Sequence, residues 1–146
     1  MNAEITDLFI QGAIPPQFIA DTIARQQAAT GTGAHDIFLG QVRADVIDNK
    51  TVAAIEYTAY EQMANQKFHE IMESARAKYD LSGLCIRHSL GSVAVGEVCL
   101  FVMVSSAHRK AVFDGLHFVV EAIKKEVPVF GKEHFADNSY QWKVNS

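Results

Sequence analysis

The run Val104–Lys132, VSSAHRKAVFDGLHFVVEAIKKEVPVFGK, holds the end of an apolar strand, one long amphipathic helix and the start of a strand-like tail. Ala111, Val112, Gly115, Leu116, Val119, Val120 and Ile123 recur at helical spacing and form a stripe that has to face a core. The helix is expected over Ala107–Glu126, with Ser105 or Ser106 as N-cap and Pro128 beyond its end. His108, Arg109 and Lys110 fall in its first turn, where unpaired N–H groups already make the potential positive. Cations there cost about 0.3–1 kcal/mol each when exposed. The arrangement therefore points to an anion at the helix start, against a plain reading as a solvated first turn. Lys124 and Lys125 stand in the last turn, where the helix dipole favours them even without a ligand. The sixteen residues from His108 to Lys124 span roughly 24 Å of helix. No small metabolite touches both ends. Either there are two anion sites, or one site is completed by the opposite helix end of a second, twofold-related subunit.

Outward from this run, strands and helices alternate without regular βαβ units, which indicates an α+β fold. Strands are expected at Ile5–Ile10, His35–Val42, Thr51–Tyr60, Leu84–Leu90 and Glu97–Ser105, with further strand character at Phe130–Phe135 and Tyr140–Val144. A helix begins at Pro15-Pro16, and another covers Glu61–Tyr79 with Met63, Phe68, Ile71, Met72 and Ala75 inward. Turns are expected at Thr30–Gly33, at Asp45–Lys50 and around Gly91 and Gly96.

The chain has 146 residues and a net charge of −4, which suits one domain over 1–146 and excludes a general nucleic-acid binder. Its basic residues gather in the last third, a pattern better matched to a small anion than to a polymer. No apolar run approaches a membrane span, and MNAEITDLFI does not read as a signal peptide. Cys85 and Cys99 read as reduced buried thiols of a cytoplasmic protein, with a cross-strand disulfide as the alternative. The histidines at 35, 69, 88, 108, 117 and 134 show no zinc-ligand spacing, so no metal and no cofactor is expected. There is no GxSxG elbow, and Thr30–Gly33 lacks the lysine of a phosphate loop. Arg43, at a strand end, can place a guanidinium near one of the helix lysines and lower its pKa.

Five strings in order, GAHDIFLGQVR (33–43), EYTAYEQMA (56–64), HSLGSVAVGE (88–97), VSSAHRKAVF (104–113) and IKKEVPVFGKE (123–133), resemble the large, catalytic subunit of molybdopterin synthase, the MoaE family. The resemblance implies an α/β-hammerhead-type mixed sheet with packed helices and a small additional β element. It implies a sulfurtransferase of molybdenum cofactor biosynthesis. Its partners would be a second copy of the chain, as the central homodimer of a heterotetramer, and a small ubiquitin-like, MoaD-like sulfur carrier ending in a Gly-Gly thiocarboxylate. Its substrate would be cyclic pyranopterin monophosphate, which receives the dithiolene sulfurs. By the same resemblance, Arg43 binds substrate, and His108 and Arg109 serve the neighbouring protomer's pocket; Lys125, next to Lys124, is also expected to bind substrate. Lys124, four residues before Pro128, is the catalytic lysine. The family's second pocket lysine is Gly131 here, so Lys132 is expected to replace it and neutralise developing charge, with Lys143 as the weaker candidate. The competing reading is a non-catalytic dimeric scaffold that binds an anion or a carrier tail.

Overall fold

In a computed structural model, which describes residues 7–144, the chain runs β1 (Phe9–Gln11), α1 (Pro16–Gln26), β2 (Ala34–Gln41), β3 (Val46–Ile47), β4 (Lys50–Ala59), α2 (Glu61–Lys78), β5 (Gly83–Ala94), β6 (Val98–Ser106), α3 (Arg109–Glu126), β7 (Val129–Phe135) and β8 (Tyr140–Trp142). The first residues of the expected strand Ile5–Ile10 lie outside the described part. Its remainder is β1, which pairs in parallel with β5 at Phe9↔His88 through Gln11↔Leu90. The other pairings are antiparallel and give the order β2-β6-β5-β4-β7-β8, so the fold is mixed α+β, as expected.

β6, between β2 and β5 in that order, is covered on both faces, and its composition suits that place. Leu100, Val102 and Val104 face α2 and α3, where they meet Phe68, Ile71, Val112 and Val119 in the main core. Phe101 and Met103 point the other way, onto Ile14, Phe18 and Ile19 around α1. A strand buried on both faces reads as a continuous apolar run, and CLFVMV is that run.

Four local expectations give way to the structure. Gly91 is no turn residue: β5 continues through it. Up to His88 the strand pairs with β6, and from Gly91 to Ala94 with β4, and Gly91 adopts φ +81° where the pairing changes over. Glycine reaches that region without a Cβ penalty. The turn itself is confined to Val95–Glu97, with Gly96 at φ +88°. Ser105 and Ser106 do not cap α3, because both are still in β6. The Ser105 hydroxyl lies 2.6 Å from His35 Nδ1, the Ser106 hydroxyl donates to the Asp80 carbonyl, and His108 takes the N-cap position with no side-chain bond. Met63 is exposed, and Ala64 takes its inward place on α2. Asp45–Lys50 is tighter than a plain turn. Asp48 and Asn49, both at positive φ, close a two-residue hairpin between β3 and β4.

Candidate active site

The C-terminal end of α3 descends onto the place where β4, β6, β7 and the residue after β8 converge. Tyr57, Cys99, Lys124 and Lys143 line both an inner recess of about 40 Å³ and an outer groove of about 240 Å³. His88, Leu100, Ile123, Val127, Val129 and Gly131 close the recess. Arg43, Asp45, Gln41 and Glu133 border the groove. The recess holds little more than a water molecule or the thin end of a chain. The groove falls short of the usual 300–1,000 Å³ of a complete ligand pocket, as a site lacking one wall would.

Lys124 is the cation at the centre. Lys125, about 100° further round α3, lies outside both the recess and the groove, so only one of the adjacent lysines is aimed inward. The walls remove water from the Lys124 ammonium and lower its pKa, and the Lys143 charge adds to the shift. Arg43 does not contribute to that shift. It sits on the groove rim, with Nε 3.3 Å from an Asp45 carboxylate oxygen. An exposed pair of this kind contributes at most about 1 kcal/mol, so an incoming anion can displace Asp45.

Beneath Lys124 the floor is neutral. Burial, together with the adjacent Cys99, pushes the Tyr57 phenol above its ordinary range. His88 packs edge-on against Tyr57 with ring centroids 5.1 Å apart. Its Nδ1 donates to the Ser89 carbonyl at 2.8 Å, which leaves Nε2 as the acceptor. Burial above all lowers its pKa from 6.5 to about 4, and the Lys124 charge acts in the same direction. Because the folded value is depressed, His88 favours the fold fully above pH 6.5. That contribution is lost as pH falls from 6.5 towards 4, by roughly 3 kcal/mol in all. Urea midpoints measured between pH 7 and 4 should fall over that window, and His88→Gln should flatten the slope. An equal slope in the variant would assign the acid sensitivity elsewhere.

The remaining expected residues do not join this groove within one chain. His108 and Arg109 are exposed at the opposite end of α3, and neither side chain has a hydrogen bond or ion pair among the described residues. Lys110 beside them is paired with Asp114 at 2.8 Å.

Lys132 is a correction. Side chains alternate along β7, so Gly131 faces the recess and Lys132 faces out. Its ammonium lies 4.4 Å from the Tyr140 ring centroid and 5.1 Å from that of Trp142, on the far face of the sheet. Tyr57, His88 and Cys99 are not site residues on the sequence reading, which takes Cys99 only as a buried thiol and His88 only as a histidine without metal-ligand spacing. The string HSLGSVAVGE contained His88, but nothing local marked it as a floor residue.

Comparison with known proteins places these features in a family context. A family model described as MoaE protein matches residues 15–126. The chain is 40% identical over 130 residues to molybdopterin synthase catalytic subunit 1 of Aedes aegypti, covering 87% of this chain and 81% of that protein. It is 36% identical to the molybdopterin synthase catalytic subunit of Emericella nidulans, over 87% of this chain and 65% of the relative. Among solved structures, molybdopterin synthase from Staphylococcus aureus superposes with a TM-score of 0.80 at 25% identity, over 93% of this chain and 95% of that one. The complex of subunits 1 and 2 of molybdopterin-converting factor from Helicobacter pylori gives 0.78 at 22% identity, over 92% and 87%, and so shares the fold.

Proposed function

The chain belongs to the MoaE protein family, and we propose that it transfers sulfur from the thiocarboxylated C-terminus of a small carrier to cyclic pyranopterin monophosphate, as the catalytic subunit of a molybdopterin synthase. The observation that carries this reading is Lys124, an ammonium partly stripped of water at the mouth of a narrow recess. The narrow recess suits the unbranched end of a Gly-Gly tail, and the outer groove suits the pterin. Arg43 on the rim holds the substrate's phosphate by its planar fork. Lys124, as the ammonium, donates a proton and offsets negative charge as the cyclic phosphate side chain is attacked.

The Helicobacter pylori complex of two unlike subunits supports a small carrier as partner. Two chains of this protein form the centre of the assembly, with one carrier at each outer end. His108 and Arg109 then close the groove of the neighbouring protomer, which explains both the missing wall and the unpaired first-turn cations. Free Cys85 and Cys99 suit a reducing, cytoplasmic setting, and no helix among the described residues is long and apolar enough to cross a membrane. A passive scaffold would gain nothing from a lysine whose charge the fold disfavours.

The test is reconstitution. Purified protein, thiocarboxylated carrier and cyclic pyranopterin monophosphate should yield the dithiolene product in two sulfur-transfer rounds. Absence of product with a carrier competent on another synthase would reject the assignment.

A further inference from the structure

The strand position that faces the recess beside Lys124 carries no side chain. A Cβ at Gly131 would stand 3.0 Å from Ile55 Cγ2, 3.5 Å from Tyr57 Cε1 and 3.6 Å from Lys143 Cβ. A neighbour would have to yield by a few tenths of an ångström for any side chain to fit. The space over Gly131 is instead occupied by the residue that follows β8. The Lys143 N–H donates to the Gly131 carbonyl at 2.8 Å, which extends the β7–β8 ladder one step past Lys132↔Trp142. With Trp142 turned outward against Lys132, alternation turns Lys143 inward. Its side chain lines both recess and groove with Lys124.

We propose that Lys143 is a substrate-binding residue of this groove, whose ammonium, delivered by the C-terminal strand across the bare surface of Gly131, binds an anionic oxygen of a substrate beside Lys124. Gly131 and Lys143 are thus a matched pair: the missing side chain makes room for a cation from the next strand. The anionic oxygen belongs to the phosphate of the pterin or to the thiocarboxylate of the carrier, and steady-state kinetics separates the two sources. The inference rests on the groove being the sulfur-transfer site.

Lys143→Met in the full chain, assayed with carrier and pterin substrate varied in turn, should raise one KM at least tenfold with the melting temperature little changed. A rise for the pterin assigns the phosphate, and a rise for the carrier assigns the thiocarboxylate. Lys143→Arg should recover part of the loss. Removing the Lys143 charge should also move the alkaline limb of the rate profile to higher pH, a change that a purely structural residue would not cause. Wild-type KM values for both substrates in Lys143→Met would overturn the proposal. If Lys124→Ala is also fully active, the site assignment itself fails. If Lys124→Ala is inactive and Lys143→Met behaves as wild type, only the role of Lys143 fails.

Discussion

Lys124→Ala is expected to lower kcat by about 10²–10⁴-fold, the range of a lost general acid, while Lys125→Ala stays close to wild type. The contrast follows from one helical step. Lys124 lines the recess and the groove, and Lys125 lines neither. The fold disfavours the Lys124 charge through burial first and Lys143 second. A lysine pKa depressed in the folded state means that the charged side chain opposes folding at every pH below the folded value. The opposition ends only above the ordinary lysine value of 10.5. Lys124→Met should therefore be inactive yet melt at a slightly higher temperature at neutral pH, a stability cost retained for function. With the ammonium as the active form, kcat should fall as pH rises through a limb below 10.5, and the variants should lack that limb. Turnover by Lys124→Ala within a few-fold of wild type would remove this lysine from the chemistry.

Much of the scaffold is legible in the sequence because its signals are local. The all-apolar run of β6, the spacing of Val112, Val119 and Ile123 on α3, and Pro16 opening α1 each depend on neighbours within two helical turns. What was misread depends on partners far along the chain. Gly91 looks like a turn until β5 is seen to change neighbours from β6 to β4 at that residue. The serines before α3 have the chemistry of caps but are held at the end of β6 by Asp80 and His35.

The site divides the same way. Arg43, His108, Arg109 and Lys124 are visible as charges placed at element ends. Tyr57, His88 and Cys99 converge only because three strands from separate parts of the chain pass under α3. The choice between Lys132 and Lys143 was a question of parity. One residue more or less in the turn Ala136–Ser139 would reverse which β8 side chains face the recess. That turn is closed by Asn138 at φ +69° and by Asp137 accepting from the Ser139 N–H at 2.9 Å.

Subunit complementation should give the second large effect. His108 and Lys124 stand at opposite ends of the 18-residue helix α3, too far apart to serve one ligand within one chain. If each groove combines its own Lys124 with the partner's His108 and Arg109, then Arg109→Ala and Lys124→Ala homodimers both lack a complete site. In a mixed dimer, the groove of the Arg109→Ala chain keeps its lysine and receives an intact His108-Arg109 pair from the other chain. The second groove is doubly defective. Random exchange at equal concentrations makes half the dimers mixed, each with one working site of two, so activity should return to about a quarter of wild type. The same fraction is expected with His108→Ala as the first partner. The recovered activity should appear only after subunits exchange, with wild-type KM values, because the restored site contains every native group. A cis arrangement predicts a different outcome: both mutations would then damage separate grooves in every mixed dimer, and no mixing ratio would raise activity above that of the parents. Absence of recovery in dimers shown by native mass spectrometry to be mixed would leave the first-turn cations of α3 with no part in the partner's groove.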